Sequence, residues 1–215
     1  DLINNSGPID FKEEIEKQLK TCNHFSIATA FITKEAIKLL DIFLNENKNK
    51  DRTGRLITGF YQCFNSRKDL NELNEMMKKS DGRLIVKISS NEKFHWKLYN
   101  FFNSNKTISY IGSANFTLSG LTKTGELLAK LTILKNEKLK KNNLEGIFNK
   151  EWDSSVELSK IPLKNYKPII QPKVRANSLD ISIKNILAKY RKNKINKDKA
   201  RTNRRLSARV VLLKD

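Results

Sequence analysis

The sequence has few of the residues on which metal centres and disulfide frameworks depend. It contains only two cysteines and two histidines in 215 residues, and neither cysteine stands in a Cys-x-x-Cys pair. A structural zinc site needs four closely spaced ligands of these types, so we expect no metal site of this kind. Cys22 and Cys63 are therefore predicted to be reduced thiols in the core of a cytoplasmic protein.

Long apolar runs are also missing from the sequence. No stretch approaches the roughly 18 consecutive apolar residues that can span a bilayer, and no secretory signal is visible. We therefore predict no membrane association. Internal repeats are absent as well, and so is the helix-turn-helix or zinc-finger spacing that would indicate base-specific recognition.

Acidic residues are scarce relative to basic ones, 23 against 42, which gives a net charge of +19. Residues 164–215 carry 16 Lys/Arg and 3 Asp, a net charge of +13, whereas the first 163 residues carry only +6. This surplus favours attraction to polyphosphate or to an anionic membrane. A need for solubility, or the Lys-, Asn- and Ile-rich usage of an AT-rich genome, would also produce it.

Strand-like and helical segments alternate along the first part of the chain. Single strands are predicted at 24–33, 55–60, 83–89 and 126–134. The strand–helix–strand spacing of the first three implies parallel pairing through right-handed crossovers. Two apolar runs, 94–102 and 107–115, flank a polar turn and predict an antiparallel hairpin. We predict an α/β fold, a mixed and mostly parallel sheet with helices on both faces.

The helical segments carry apolar residues at helical spacing. The first helix is predicted over residues 9–20, and a charged loop over 45–52 precedes the second strand. Thr33 and Ser66 stand where N-caps are expected, before the second and third helices. The last helix is predicted to turn four apolar residues inward, namely Leu144, Ile147, Phe148 and Trp152.

Regular patterning weakens after residue 160, where three prolines follow within a short stretch. We predict a folded domain over residues 1–160 and a basic linker or extension over residues 161–215. The extension contains one short amphipathic segment around Ile183 and Leu187, which predicts a helix. It is a solvated extension, a nucleic-acid-binding arm or the start of a DNA-binding region. For the two binding alternatives, Arg201, Arg204 and Arg205 are predicted to contact the phosphates.

Two short strings within the hairpin carry the candidate chemistry. His95 and Lys97 lie two residues apart in the first run, and Gly112-Ser113-Ala114-Asn115 closes the second. Because side chains alternate along a strand, His95 and Lys97 are expected on one face, about 7 Å apart at roughly 3.3 Å per residue. The returning strand brings Ser113 and Asn115 back towards them, and Glu126 opens the next strand. One site would then hold an imidazole, an ammonium, an amide and a carboxylate.

This order of residues resembles the phospholipase D superfamily, whose signature is HxKxxxxD followed by GSxN. It is most similar to the single-motif nuclease branch that includes the metal-independent, NgoFVII-type restriction endonucleases, over roughly residues 20–155. The family's Asp would fall at Phe102, which departs from the pattern. The resemblance implies a phospholipase D-like sandwich over residues 1–160. It also implies a restriction- or defence-type hydrolase that cleaves DNA phosphodiesters and uses no cofactor.

The resemblance also implies a role for each residue of the site. His95 would be the nucleophile that forms a phosphohistidine. Lys97 and Asn115 would bind the non-bridging phosphate oxygens, with Ser113 supporting them. Glu126 would orient the imidazole through its second nitrogen.

A second histidine protonates the leaving group in this family. The other histidine of the chain, His24, is followed by Ser26 rather than by lysine at the matching position, so we expect the second imidazole to come from another subunit of a homodimer. A lone histidine in an aromatic strand is also commonly a packing residue, and Glu126 has an ordinary explanation as a surface carboxylate. Two other functions stay open. One is a nucleic-acid-binding module with a degenerate site, which Phe102 suggests, and the other is a phospholipase or phosphatidyl transferase.

Overall fold

The structure, a computed structural model, describes residues 1–4, 10–45, 51–122, 125–168 and 183–190. Its strands are β1 (Leu2–Asn4), β2 (His24–Thr29), β3 (Thr53–Thr58), β4 (Leu84–Ile88), β5 (Lys97–Phe102), β6 (Lys106–Gly112), β7 (Leu127–Leu134) and β8 (Val156–Glu157). Its helices are α1 (Phe11–Thr21), α2 (Lys34–Ile37), α3 (Leu39–Asn45), α4 (Arg67–Lys79), α5 (Leu118–Thr122) and α6 (Lys138–Ser154). Residues 183–190 are also helical, as predicted.

The described strands form one eight-stranded mixed sheet in the order β1-β7-β6-β5-β2-β3-β4-β8. Strands β2, β3 and β4 pair in parallel and β5 with β6 forms the antiparallel hairpin, as predicted. The expectation that parallel pairs predominate is wrong, because β1–β7, β2–β5, β4–β8 and β6–β7 are antiparallel too. Among the described strands, parallel pairing is confined to β2, β3 and β4, which helices connect, whereas β5 and β8 join the two sides of this unit running in the opposite direction.

Helices cover both faces of the sheet, which confirms the predicted α/β sandwich. On one face α1–α5 pack over inward side chains such as Phe25, Ile27 and Leu56 to form the larger core. On the other face Phe148 of α6 packs with Ala28 and Ile57 in a smaller cluster. None of the described helices combines the length and apolar character needed to cross a bilayer.

The predicted N-caps behave differently from each other. Ser66 accepts a hydrogen bond from the Asp69 N–H at 3.0 Å and so caps α4 as predicted. Thr33 occupies the N-cap position of α2 but makes no capping bond with its side chain. Its hydroxyl instead accepts from the Leu118 N–H at 3.1 Å, which connects the start of α2 to the start of α5.

One residue of the predicted inward stripe of α6 is placed wrongly. Phe148 is fully buried, but Ile147 is 49% exposed. The reason is that α6 contacts the sheet along a narrow line through Phe148 and Trp152, whose rings stack at 5.7 Å. A residue one position away from Phe148 points about 100° aside and reaches solvent.

The core includes residues on both sides of the predicted boundary at residue 160. Ile161, Leu163 and Tyr166 are buried within the larger core, and so are Ile183 and Leu187 from the helical segment 183–190. The Tyr166 hydroxyl donates to the Asn65 carbonyl at 2.7 Å. The division into a domain and a basic extension stays a prediction.

Candidate active site

The candidate site lies at one edge of the sheet, where several strand ends meet. The parallel strands β2, β3 and β4 all end there, β5 and β7 begin there, and β6 ends there at Gly112. In open α/β sheets, ligands bind outside the carboxyl ends of the parallel strands. The topology therefore brings the two sequence strings to the edge where a ligand site is expected.

His95 lies just before β5, in the connection from β4, and its side chain is exposed. It was expected inside the strand, but the strand begins at Lys97. The buried Phe94 fixes the connection, because its side chain lies in the smaller cluster and its N–H donates to the Asn91 carbonyl at 3.0 Å. His95 is thus an exposed group on an anchored segment.

The Lys97 ammonium contacts the His95 ring directly. Its Nζ lies 2.8 Å from Nδ1 and 2.9 Å from Nε2, and it donates to the His95 carbonyl at 3.1 Å. The expected separation of about 7 Å assumed that both residues lie in one regular strand. Since His95 lies outside the strand, its ring folds back towards the lysine. Lys97 itself is only 9% exposed.

Burial and charge set the protonation of this pair. Partial desolvation of the exposed ring by its neighbours, and then the positive charge of Lys97, lower the pKa of His95 below its ordinary value. Burial also lowers the pKa of Lys97, against the raising effect of the Glu126 carboxylate. A neutral imidazole has a lone pair on one ring nitrogen, so a lowered pKa favours the form of His95 that attacks an electrophile.

Asn115 lies beside the loop that follows β2. Its Oδ1 accepts from the Phe31 N–H at 3.3 Å, and the Phe31 ring lies 5.7 Å from the His95 ring. The next residue, Phe116, forms a parallel bridge with Ile32. These contacts bring Asn115 to the loop that borders His95.

Ser113 and Gly112 hold the end of β6 against the start of β7. The Ser113 hydroxyl accepts from the Leu127 N–H at 3.1 Å, and the Ser113 N–H donates to the Leu127 carbonyl at 3.1 Å. A Cβ on Gly112 would lie 2.2 Å from the Leu127 carbonyl oxygen, so this approach requires glycine. Glu126 immediately precedes Leu127, and its charge acts on Lys97.

Two aromatic rings beside His95 were not predicted as site residues. The Tyr61 ring lies 4.9 Å from the His95 ring, and Phe31 lies on another side of it. Both residues come shortly after a parallel strand, Phe31 after β2 and Tyr61 after β3. That position, at the carboxyl end of a predicted parallel strand, was the signal available in the sequence.

Phe102, which stands where the family signature has an aspartate, lies far from His95. Phe102 ends β5, five residues beyond Lys97, which is about 17 Å along a strand at roughly 3.3 Å per residue. Its ring packs 5.3 Å from that of His24, whose nitrogens bond the hydroxyls of Thr53 and Ser26. His24 is thus a hydrogen-bonded and packed residue at the other end of the strand.

The arginines that were predicted to contact phosphates lie outside the described residues, namely Arg201, Arg204 and Arg205. Within the described part of the chain, no group of three or more His, Cys, Asp and Glu side chains is arranged to hold a metal ion. Cys22 and Cys63 are both buried there and are not disulfide-bonded to each other, as expected for core thiols. Burial raises the pKa of Cys22 to about 11, which keeps it a thiol.

Comparison with solved structures places the fold among known ones. The chain is similar to a phospholipase D family member, Nuc from Salmonella typhimurium, at 17% identity and a TM-score of 0.50, over 67% of this chain and 88% of that one. It is also similar to NucT from Helicobacter pylori at 15% identity and a TM-score of 0.51, over 73% of this chain and 97% of NucT. The match to phosphatidylserine synthase from Haemophilus influenzae has 11% identity and a TM-score of 0.56, over 91% and 45%.

Comparison by sequence identifies the family. No curated protein matches the chain. A family model described as the NgoFVII restriction endonuclease N-terminal PLD domain matches residues 10–155, well over half of the chain and the part that contains the whole candidate site. The chain therefore belongs to the family of the NgoFVII restriction endonuclease N-terminal PLD domain, within the phospholipase D superfamily.

Proposed function

We propose that this protein is a metal-independent endonuclease that cleaves DNA through a phosphohistidine on His95. The observation that supports this most is the contact between the exposed His95 ring and the buried Lys97 ammonium at 2.8 Å, in a chain of a restriction endonuclease family. The net charge of +19 supports a polyanionic substrate. The proposed restriction or defence role is supported by the family alone.

The proposed reaction proceeds in two displacements. A ring nitrogen of neutral His95 attacks the phosphorus, an N–P bond forms, and the bond from phosphorus to the leaving oxygen breaks. That oxygen takes a proton from a second imidazole, which then accepts a proton from the attacking water while the N–P bond breaks. Lys97 and Asn115 stabilise the charge on the non-bridging oxygens, and the Glu126 carboxylate favours the charged form of Lys97.

The second imidazole is proposed to be His95 of another copy of the chain. His24 is a poor candidate, since it bonds Thr53 and Ser26 and lies beside Phe102, at the opposite end of β5. A two-fold axis near the strand ends would bring two His95 rings to one phosphate.

An apolar surface next to the site supports such a dimer. Leu2, Ile111, Leu127 and Leu131 lie on one face of the sheet, across β1, β6 and β7, and are 40–73% exposed. We call these four residues the apolar edge patch. It begins at Leu127, which bonds Ser113, so the patch is continuous with the candidate site. Contiguous exposed apolar residues are typical of an interaction surface.

The decisive experiment is DNA cleavage in excess EDTA. We expect wild-type protein to cut and His95→Ala to lose activity by a factor on the order of 10³ or more, as when a covalent nucleophile is removed. His24→Asn is the matched control, because it removes the other histidine of the chain and should keep activity. Rapid denaturation of the wild type at neutral or alkaline pH should trap an adduct between protein and labelled DNA, and later acid treatment should release the DNA, as expected for an N–P bond.

The alternatives make different predictions in the same assays. Strict dependence on magnesium, or full activity of His95→Ala, would contradict the proposal. Binding that falls steeply with salt, without cleavage or adduct, would indicate a nucleic-acid-binding module. Hydrolysis of phosphatidylcholine vesicles would indicate a phospholipase instead.

A further inference from the structure

Beside His95 the structure presents an aromatic surface that the proposed reaction does not use. Phe31, Tyr61 and Phe64 form a connected group in which the Phe31 ring lies 6.1 Å from Tyr61 and 5.4 Å from Phe64. We call these three residues the aromatic cluster. Phe64 is 45% exposed, and the other two rings are half-buried. Large aromatic rings are usually buried. A partly exposed group of them, at the end of the sheet where a ligand is expected to bind, therefore requires an explanation.

The loop that carries two of these rings has an unusual backbone. Gln62 and Cys63, which separate Tyr61 from Phe64, have φ angles of +49° and +54°. Neither is glycine, and left-handed conformations in other residues cost free energy and recur at ligand-binding sites. The consecutive left-handed residues turn the chain between Tyr61 and Phe64, and both rings end near Phe31.

A buried amide holds the cluster in place. Asn65 is 1% exposed and joins the loops after β2 and β3: its Nδ2 donates to the carbonyls of Ala30 and Gly59, and its Oδ1 accepts from the Ile32 N–H at 2.9 Å. Residues on both sides of Phe31 are therefore fixed relative to the Tyr61 loop. A preorganised aromatic surface binds a flat partner without a further ordering cost.

We propose that the aromatic cluster stacks an unpaired nucleobase of the DNA strand, next to the phosphate that His95 attacks. This inference rests on the proposed function and adds a substrate class to it, a strand whose base is locally unpaired. The geometry supports it because Phe31 and Tyr61 both contact the His95 ring, so a base on the cluster would be a near neighbour of the reacting phosphate. Aromatic side chains can stack on a base of any identity. The base must, however, be unpaired and turned out of the duplex.

The inference can be tested by binding, without cleavage. The probes are single-stranded oligodeoxynucleotides with one 2-aminopurine at successive positions, and the protein carries His95→Ala. Stacking on the cluster should quench 2-aminopurine fluorescence at one position. Phe64→Leu should weaken binding roughly 5- to 140-fold, the range for the loss of one base–aromatic contact, and remove the quenching. Phe64→Trp should retain both.

A remote substitution controls for general loss of apolar surface. Ile147 of α6 is 49% exposed, close to the exposure of Phe64, and Ile147→Ala should leave binding and quenching unchanged. Equal effects of Phe64→Leu and Ile147→Ala, or the absence of quenching at every position, would overturn the inference.

Cleavage gives an independent measurement. With His95 intact, we expect the single strand to be cut faster than the matched duplex. Phe64→Leu should reduce the ratio of these two cleavage rates. Quenching by His95→Ala protein, together with no cleavage by wild type, would leave the stacking site in place and overturn the proposed function. Cleavage with no quenching and no strand preference would overturn the stacking site alone.

Discussion

At the scale of single residues, the central feature is a buried lysine against an exposed histidine. Lys97 is 9% exposed and contacts both ring nitrogens of His95. Burial of an ammonium is unfavourable, and here it outweighs the attraction of Glu126 and lowers the pKa of Lys97. A phosphate bound at the pair would add the negative charge that a desolvated cation lacks, and this favours anion binding at that point.

The first prediction concerns the charge state of His95. Its pKa lies below the ordinary 6.5, so the neutral, nucleophilic imidazole persists to lower pH and predominates at pH 7. Lys97→Met should raise this pKa by removing the positive charge, although the lowering caused by partial desolvation of the ring should remain. NMR titration of the imidazole protons measures it, and His24→Asn assigns the two histidine signals. Lys97→Arg retains the charge, and equal midpoints in the Met and Arg variants would contradict the explanation.

At the scale of elements, the junction of β6 and β7 positions the second sequence string. Gly112 lies so close to β7 that a Cβ would be 2.2 Å from the Leu127 carbonyl oxygen and 2.7 Å from the Leu128 Cα. Both contacts are with backbone, which cannot rotate aside as a side chain can. The glycine thus sets the distance between the strand that ends at Ser113 and the strand that follows Glu126.

We predict opposite effects for two glycine-to-alanine substitutions. Gly112→Ala should lower the free energy of unfolding by about 1–3 kcal/mol, because the methyl group forces β6 away from β7, and should also reduce cleavage. Gly146→Ala in α6 meets no atom within 4 Å and should stabilise the helix by about 0.5–1 kcal/mol. Urea unfolding of both variants tests this, and destabilisation by both would contradict the argument.

Neighbouring residues of α6 provide a third prediction. Phe148 is fully buried in the smaller cluster, and Phe148→Ala should cost roughly 3–5 kcal/mol through lost apolar contacts and the cavity left behind. Ile147→Ala, at a site 49% exposed, should change stability by less than about 0.5 kcal/mol. Denaturant midpoints compare the two, and similar losses would show that α6 packs differently.

At the scale of the whole molecule, the apolar edge patch and the site lie side by side while α6 packs elsewhere on the same sheet face. Leu131 and Ile85 are both exposed strand residues on this face, at 41% and 39%. Five strand spacings separate β7 from β4 in the sheet, about 24 Å at roughly 4.8 Å each. One residue therefore lies in the patch and the other well outside it.

The fourth prediction tests the proposed homodimer with this pair. Leu131→Glu should convert the protein to monomers in sedimentation analysis and should abolish cleavage, since each monomer supplies one His95. Ile85→Glu introduces the same charge at a similar exposure and should leave the dimer and its activity unchanged. A monomeric wild type that still cleaves DNA would contradict the proposal at this scale.

Sequence alone predicted the features that depend on neighbouring residues. The apolar, β-prone runs predicted the strands β2 to β7 to within a few positions, since the tendency to form a strand is carried by the residues of each run. The hairpin brought His95 and Lys97 to the same region as Ser113 and Asn115 for a similar reason. The family was predicted from the order and spacing of these same residues.

Tertiary structure alone decided what depends on distant contacts. Arg52 belongs to a stretch that the sequence assigns to a charged loop, yet it is 3% exposed and donates to the carbonyls of Leu19 and Cys22 at 2.6 and 2.7 Å. The aromatic rings around His95 come from loops that are separate in sequence and meet at the sheet edge. Sequence patterns report the face of a residue within its own element, whereas its neighbours across the fold depend on how the elements pack.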